Sequence, residues 1–247
     1  MIFPIGDDNT GRRTTPVVTY VLIAVNVAVY FLFQATDERF TYKFSTVPEE
    51  IVTGRDIETP PREIEHPATG QKIEVPGLEK TPIPVYLTLI TSMFMHGGIM
   101  HLLGNMLFLW IFGDNVEDDL GPVRYLIFYL VCGIIASLSH VFMNATGAHA
   151  QVPSLGASGA ISGVLGGYLV LHPHRRVHVI MFRFLTTVPG YVAVGLWFVF
   201  QIISSLGALG EGSAVGGVAY AAHIGGFIAG LVLVKPFTAG RPRETMA

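Results

Sequence analysis

A serine lies in the small-residue run GASG at positions 156–159, at the start of an apolar segment. The hydroxyl of Ser158 at a helix N-terminus could act as a nucleophile, because the free backbone N–H groups there can hold an oxyanion. The flanking glycines, Gly156 and Gly159, also suit a purely structural role, since small residues let membrane helices pack closely. Taken alone, the motif leaves both interpretations open, and close packing is the commoner one.

A histidine stands inside a second apolar run, YAAHIGGFIAGLVLV. Gly226 and Gly230 follow His223 by three and seven residues, so the three share one helical face. A neighbouring helix can come close on that face, and a neutral imidazole there could take the proton of a hydroxyl group. A structural histidine bonded to a backbone carbonyl is the alternative.

Two more polar side chains share a helical face in the run FMHGGIMHLLGNMLFLW. His101 and Asn105 are four residues apart, and both can donate hydrogen bonds. Such donors suit the stabilisation of a developing negative charge, although an interhelical polar clamp would use the same residues. His96 falls on another face, and we expect it to be structural.

These residues lie in a chain whose composition is that of a polytopic membrane protein. It has 247 residues, of which 51% are hydrophobic and 13% charged, and no carboxylate occurs between Asp119 and Glu211. A water-soluble domain carries about a quarter charged residues. The net charge of −3 argues against a nucleic-acid partner, and a single cysteine excludes a disulfide framework.

We predict an all-α fold of six membrane-spanning helices. The spans are expected at about 16–34, 94–113, 122–143, 156–172, 188–208 and 216–234. Basic residues cluster before span one, in the second and fourth connections and after span six, which predicts that both termini are cytoplasmic. Residues 1–15 and 235–247 are then cytoplasmic tails, and 35–93 form an extracytoplasmic loop with a Pro-rich, charged insertion whose role the sequence does not indicate.

In this topology, spans two, four and six all descend from the outer face. At a rise of about 1.5 Å per residue, the serine, the histidine and the His–Asn pair then lie at compatible depths. The sequence therefore allows the three groups to form one site below the outer membrane surface.

Together, the three motifs resemble those of the rhomboid family of intramembrane serine proteases, over residues 16–234. The resemblance is carried, in the family's order, by HGGIMHLLGNMLFLWIFGDNVEDDLG, GASGAISGVLGGY and AHIGGFIAG. It implies Ser158 as nucleophile and His223 as general base. It also implies an oxyanion hole of His101, Asn105 and the Ser158 backbone N–H, with Glu117 as a structural residue. The chain departs from some members in having Ser162 where an aromatic residue packs on the histidine, and its first loop is expanded.

Other protease classes need residues that this chain lacks. An aspartyl intramembrane protease needs two membrane carboxylates, and a zinc protease needs a pattern such as H-E-x-x-H. The sequence indicates neither a metal nor a cofactor, and no carboxylate in spans three to six could complete a triad. A catalytically inactive rhomboid-like protein that binds transmembrane clients is the main alternative, and a small transporter is a weaker one.

The resemblance also implies the partners and the location. We expect single-pass transmembrane proteins as substrates, membrane lipids as surroundings, and a multi-pass protein of the plasma (inner) membrane whose site opens to the extracytoplasmic side. Lateral access past span five, with Trp197, Phe198 and Phe200, is a hypothesis. The glycine-rich connection LGALGEGSAVGG at 206–217 is expected to act as a mobile cap.

Overall fold

The computed structural model describes residues 2–65, 72–211 and 218–240, and most of these residues are helical. The α-helices in this part of the chain are α1 (Val17–Val29), α2 (Glu38–Phe44), α3 (Pro48–Thr53), α4 (Thr88–Thr91), α5 (Ile99–Leu120), α6 (Pro122–Asn144), α7 (Ser158–Leu171), α8 (Gly190–Glu211) and α9 (Val218–Thr238). The strands are β1 (Ile2–Asp7), β2 (Arg62–Glu65), β3 (Lys72–Val75), β4 (Arg176–Met181) and β5 (Phe184–Pro189). The predicted start of span six at 216, much of the expected mobile cap and the tail from 241 lie outside the described residues.

Four of the described helices are long and apolar enough to cross a membrane. They are α1 with its π-helical extension to Gln34, α5, α6 and the part of α9 from Tyr220. The fourth and fifth predicted spans coincide with helices whose apolar lengths are shorter, Ser158–Leu171 and Gly190–Ile203. A membrane-spanning helix needs about 17–25 residues, and the 14 residues of α7 fall short of that range, whereas α8 has 22 residues in all.

The second predicted span, 94–113, was wrong at both ends. Residues 92–94 form a 3-10 turn, and α5 begins only at Ile99, after two glycines that leave the helical conformation. It then continues to Leu120, because its acidic residues find partners near the N-terminus of the chain. Asp114 pairs with Arg12 at 2.8 Å and Asp118 with Arg13 at 3.3 Å.

Glu117 ties α5 to the beginning of α1. Its carboxylate accepts hydrogen bonds from the backbone N–H groups of Val18 and Thr19 at 2.8 and 2.7 Å, and from the Thr19 hydroxyl at 2.8 Å. These N–H groups belong to the first turn of α1 and have no partner within the helix. Glu117 therefore caps the first helix.

Helix α7 packs between α6 and α9 through glycines. A β-carbon added to Gly226 would stand 2.1 Å from the carbonyl oxygen of Gly159, and one added to Gly159 would meet Ala136 at 2.7 Å. Real β-carbons do not approach so closely, so only glycine allows these backbones to touch. The predicted close-packing face of Gly226 and Gly230 is thus the face that α9 turns to α7.

A three-stranded antiparallel sheet, in the order β1–β4–β5, lies at the opposite end of α7 from Ser158. Its inner face is apolar, with Val177 and Val179 fully buried. Asp7 at the end of β1 accepts hydrogen bonds from the Tyr168 hydroxyl at 2.8 Å and from the Asn115 amide at 2.6 Å. The N-terminal strand is thereby joined to both α5 and α7.

The long first loop folds over the other end of the bundle. It contains α2, α3, the hairpin of β2 and β3, and the short helical turns from 85 to 94. Thr46 in this loop forms an isolated antiparallel bridge with Ser154, with N–H to carbonyl distances of 3.0 and 2.8 Å. The Thr46 hydroxyl also donates to the Thr88 carbonyl at 2.8 Å. The loop is therefore bound to the segment that leads into α7.

Candidate active site

Ser158 and His223 are in hydrogen-bond contact. The Oγ of Ser158 lies 2.8 Å from the Nε2 of His223, although the two residues are 65 positions apart. Ser158 is the first residue of α7, and His223 stands one turn into α9. The glycine contacts between these helices bring the two backbones close enough for the short serine side chain to reach the imidazole.

His101, near the beginning of α5, lies beside the same serine. A β-carbon on Gly156 would stand 2.8 Å from the Cε1 of His101 and 3.5 Å from the Ser158 Oγ, so Gly156 separates the two side chains. The φ angle of +121° at Gly156 also favours glycine. The Nδ1 of His101 accepts a hydrogen bond from the Gly97 N–H at 3.4 Å. The neutral ring therefore carries its proton on Nε2, which is free to donate.

Asn105 lies one turn further along α5 and is 8% exposed. Its Nδ2 is buried and has no hydrogen-bond partner among the described residues. Buried amide groups are normally paired, because an unpaired donor costs about 1–3 kcal/mol. An unpaired donor of this kind is available to an oxygen atom of a bound ligand.

One cavity of about 290 Å³ connects these groups. It is lined by Met100, His101, Gly104, Asn105, Phe108, Leu155, Ser158, Ile161, Trp197, Gln201 and His223. Apolar side chains form most of the wall, and the polar groups come from α5, α7, α8 and α9. Such an arrangement is typical of a site that binds a ligand and orients it with a few polar contacts.

A smaller cavity of about 30 Å³ lies on the other side of the Ser158–His223 pair. Its polar lining comes mainly from serines, including Ser92, Ser137 and Ser154. Its volume is sufficient for one or two water molecules.

Sequence reasoning missed Gln201. Its Oε1 lies 2.9 Å from the Nδ1 of His223, on the far side of the ring from Ser158, and the residue is 8% exposed. Gln201 is not a carboxylate, so the expectation of an acidic third residue did not point to it. An amide in the apolar run GLWFVFQII is itself the signal, since polar residues within membrane segments mark functional positions.

The aromatic neighbours of His223 do not come from position 162, one turn after Ser158, where some family members have an aromatic residue. Ser162 is fully buried and donates a 2.6 Å hydrogen bond to the Ser158 carbonyl. The rings of Trp197 and Tyr220 lie 6.1 and 6.4 Å from the His223 ring, measured between centroids. The histidine ring thus has aromatic neighbours from α8 and α9.

Two residues that were expected to be structural, His96 and Glu117, lie away from the cavity. His96 is 2% exposed, and its ring stands edge-on to that of His101 with 5.2 Å between centroids, so it supports the site without lining it. Glu117 lies at the other end of α5, at the cap of α1. Within the described ranges, no group of three His, Cys, Asp or Glu side chains is placed to hold a metal ion.

Comparison with known proteins identifies the family. The model of the rhomboid domain matches residues 84–239, which include α5 to α9 and every residue of the cavity. The chain belongs to the rhomboid family. With its long apolar helices, it is an integral membrane protein.

Named relatives come from both eukaryotes and bacteria. Rhomboid protein 1, mitochondrial, of Saccharomyces cerevisiae is 31% identical over 215 residues, which are 86% of this chain and 51% of that protein. Rhomboid protease GluP of Bacillus subtilis is 37% identical over 142 residues, 58% of this chain and 24% of GluP. The presenilin-associated rhomboid-like protein, mitochondrial, of Homo sapiens is 32% identical over 127 residues, 47% of this chain and 33% of that protein. The chain therefore spans between about a quarter and a half of the length of these relatives. One relative is named as a protease, and two are named as mitochondrial.

Proposed function

We propose that this rhomboid is an intramembrane serine endopeptidase that cleaves peptide bonds in or near the transmembrane segments of other membrane proteins. The observation that carries the proposal is the 2.8 Å contact between the Ser158 Oγ and the His223 Nε2. A serine hydroxyl is a weak nucleophile unless an adjacent base accepts its proton. The rhomboid protease among its relatives supports the same reaction class.

In the first step, the Ser158 Oγ attacks the scissile carbonyl carbon while its proton passes to the His223 Nε2. The carbonyl oxygen becomes an oxyanion, for which the His101 Nε2–H, the unpaired Asn105 Nδ2 and the Ser158 backbone N–H are the available donors. Collapse of the tetrahedral intermediate breaks the C–N bond, and His223 returns the proton to the leaving amine. An acyl-enzyme on Ser158 remains.

Hydrolysis of the acyl-enzyme needs water at the same carbonyl. His223 accepts a proton from that water as its oxygen attacks, and then returns the proton to the Ser158 Oγ as the acid product leaves. The small serine-lined cavity next to Ser158 has room for one or two water molecules. It is a suitable reservoir for this step.

The membrane arrangement completes the proposal. Six helices cross the bilayer, with both termini cytoplasmic: α1, α5, α6, α7, α8 and α9. Helix α7, with 14 residues, begins below the outer surface. Ser158 then lies below the outer surface, and the site opens to the extracytoplasmic side of a plasma (inner) membrane. The substrate is a single-pass protein whose helix unwinds locally to reach the cavity.

A catalytically inactive rhomboid that binds transmembrane clients is the competing function. Such a protein would have no need for a serine, a base and an unpaired donor in one cavity. A cleavage assay with a single-pass reporter in liposomes distinguishes the two. We expect the wild type to cleave, and Ser158→Ala and His223→Ala to bind the reporter without cleaving it.

Labelling with a fluorophosphonate tests the nucleophile directly. Ser158→Ala should lose the label, whereas Ser162→Ala, one turn further along the same helix, should keep it. Cleavage or labelling that persists in Ser158→Ala would refute the proposed function.

A further inference from the structure

Both ring nitrogens of His223 are held by side chains from two different helices. The Nε2 faces the Ser158 Oγ from α7 at 2.8 Å, and the Nδ1 faces the Gln201 Oε1 from α8 at 2.9 Å. The imidazole is therefore fixed along the line that joins serine and glutamine.

The direction of proton transfer decides which form of the ring is useful. To accept the serine proton, Nε2 must be unprotonated, so the neutral ring must carry its proton on Nδ1. An Nδ1–H needs an acceptor, and the Gln201 carbonyl oxygen is at hydrogen-bond distance. With the amide oriented as it is in the structure, the opposite tautomer would leave Nδ1 facing that oxygen lone pair to lone pair, and the amide would have to turn its NH2 group toward Nδ1 to restore the hydrogen bond.

Gln201 is an uncharged acceptor in a largely buried position, with 8% of the residue exposed. A neutral amide oxygen can accept the Nδ1–H in the resting site and can also stabilise the imidazolium that forms during the reaction. The bond becomes stronger when the ring is charged, because hydrogen bonds to ions are stronger than neutral ones.

The same helical face of α8 provides a second contact. Trp197 precedes Gln201 by four residues, and its ring lies 6.1 Å from that of His223. Trp197 packs on the ring, and Gln201 holds the nitrogen. Helix α8 is therefore placed to set both the position and the rotation of the base.

We propose that Gln201 is a positioning residue that selects the Nδ1–H tautomer of His223 and holds the ring toward Ser158. This inference rests on the proposed proteolytic function. Gln201 does not contact the reacting atoms, so it acts only through the histidine. It takes the place that a carboxylate has in a Ser–His–Asp triad.

The kinetic test compares two substitutions of similar size. Gln201→Met removes the acceptor, and Gln201→Glu keeps one. In the liposome cleavage assay we expect Gln201→Met to lower kcat by about 10- to 100-fold with KM unchanged, as for loss of a hydrogen bond to a group that becomes charged. Gln201→Glu should recover most of that rate. Ile202→Met, the next residue of α8, is the matched control and should cleave at the wild-type rate.

A spectroscopic test reads the tautomer without any turnover. Nitrogen-15 NMR of protein labelled in histidine distinguishes protonated from unprotonated ring nitrogens, and His223→Ala assigns the signals. We expect Nδ1 of His223 to be protonated in the wild type and the two tautomers to be mixed in Gln201→Met. This measurement still applies where a variant is less stable, since it is made on the folded fraction.

Three results would overturn the inference: an unchanged kcat in Gln201→Met, a Gln201→Glu variant as slow as Gln201→Met, or the same tautomer ratio in wild type and Gln201→Met. Each leaves the Ser158–His223 mechanism intact, provided that the wild type cleaves and labels at Ser158. A wild type that does neither refutes the proposed function instead, and the NMR comparison then decides the Gln201–His223 contact alone.

Discussion

Gly230 of α9 lies directly against the backbone of Gly163 of α7. A β-carbon at position 230 would stand 1.9 Å from the Gly163 carbonyl oxygen and 2.8 Å from its Cα. Since the obstacle is backbone, no side-chain rotation can relieve it. This contact lies on the same helix pair as Ser158 and His223, so the closeness of the two backbones sets the distance between the two side chains.

Gly230→Ala should therefore push α9 away from α7. Overpacking of this kind costs about 1–3 kcal/mol, and we expect a lower midpoint of thermal unfolding together with a lower rate of fluorophosphonate labelling at Ser158. Gly195→Ala is the matched control, because a β-carbon there meets no atom within 4 Å and should raise helix stability slightly. A Gly230→Ala protein as stable and as reactive as Gly195→Ala would contradict the packing argument.

Because the Asn105 amide has no partner in the resting site, its removal should lower the stabilisation of the transition state and change little else. Asn105→Ala and the similarly sized Asn105→Leu both remove the Nδ2 donor, and loss of one oxyanion donor typically lowers kcat by about 10²–10³-fold. KM for the reporter and the thermal stability should change little. Leu103→Ala, an exposed position of the same helix, serves as control. Full activity in Asn105→Leu would assign the amide to a structural role.

If substrates enter the site from the lipid, two phenylalanines of α8 should differ in their effect on cleavage. Phe198 stacks on Phe227 of α9, with 4.1 Å between centroids and 17° between planes, whereas Phe200 is 62% exposed. If substrate helices pass between α8 and α9, Phe198→Ala should loosen the pair and raise the cleavage rate of the transmembrane reporter. Phe200→Ala should have little effect. Equal rates for both variants and the wild type would argue against this route.

The carboxyl of Asp7 predicts how stability depends on pH. Burial raises the pKa of Asp7 from 3.8 to about 7, and the nearby Asp114 adds to the increase. Between about pH 4 and 7 the folded protein therefore holds a proton that the unfolded chain has lost. The contribution of Asp7 to the free energy of unfolding is fully present below pH 4 and is lost as the pH rises through 7.

Asp7→Asn should flatten this part of the stability profile. The midpoint of thermal unfolding should fall less between pH 5 and pH 8 than in the wild type, by about 2–4 °C for each kcal/mol involved. Asp8→Asn is the control, because hydrogen bonds from Thr10 lower the pKa of Asp8 and place its effect below pH 4. Equal pH dependence in the wild type and Asp7→Asn would show that the Asp7 carboxyl is charged in the folded protein.

Much of the candidate site could be predicted because Ser158, His223, His101 and Asn105 are polar residues in otherwise apolar helices. The helical rise alone predicted compatible depths for them within the expected spans. The structure brings all four to one cavity. Gln201 obeys the same rule, but it was missed because a triad was expected to need a carboxylate.

Other features depend on contacts between distant segments, which no local pattern reveals. The end of α5 was misplaced because Arg12 and Arg13 neutralise its acidic residues across more than a hundred positions. The sheet at the end of α7 gains its third strand because the N-terminal strand pairs with the distant β4. Local periodicity describes a single element, whereas these boundaries depend on residues that contact the element from distant parts of the chain.

The bridge between Thr46 and Ser154 joins the first loop to the candidate site. Ser154 is four residues before Ser158, and its backbone is anchored to a segment that precedes α5 in the chain. A ligand that displaces this segment would therefore also move the backbone that leads to Ser158. The part of the loop around Thr46 thus gives mechanical support to the candidate site.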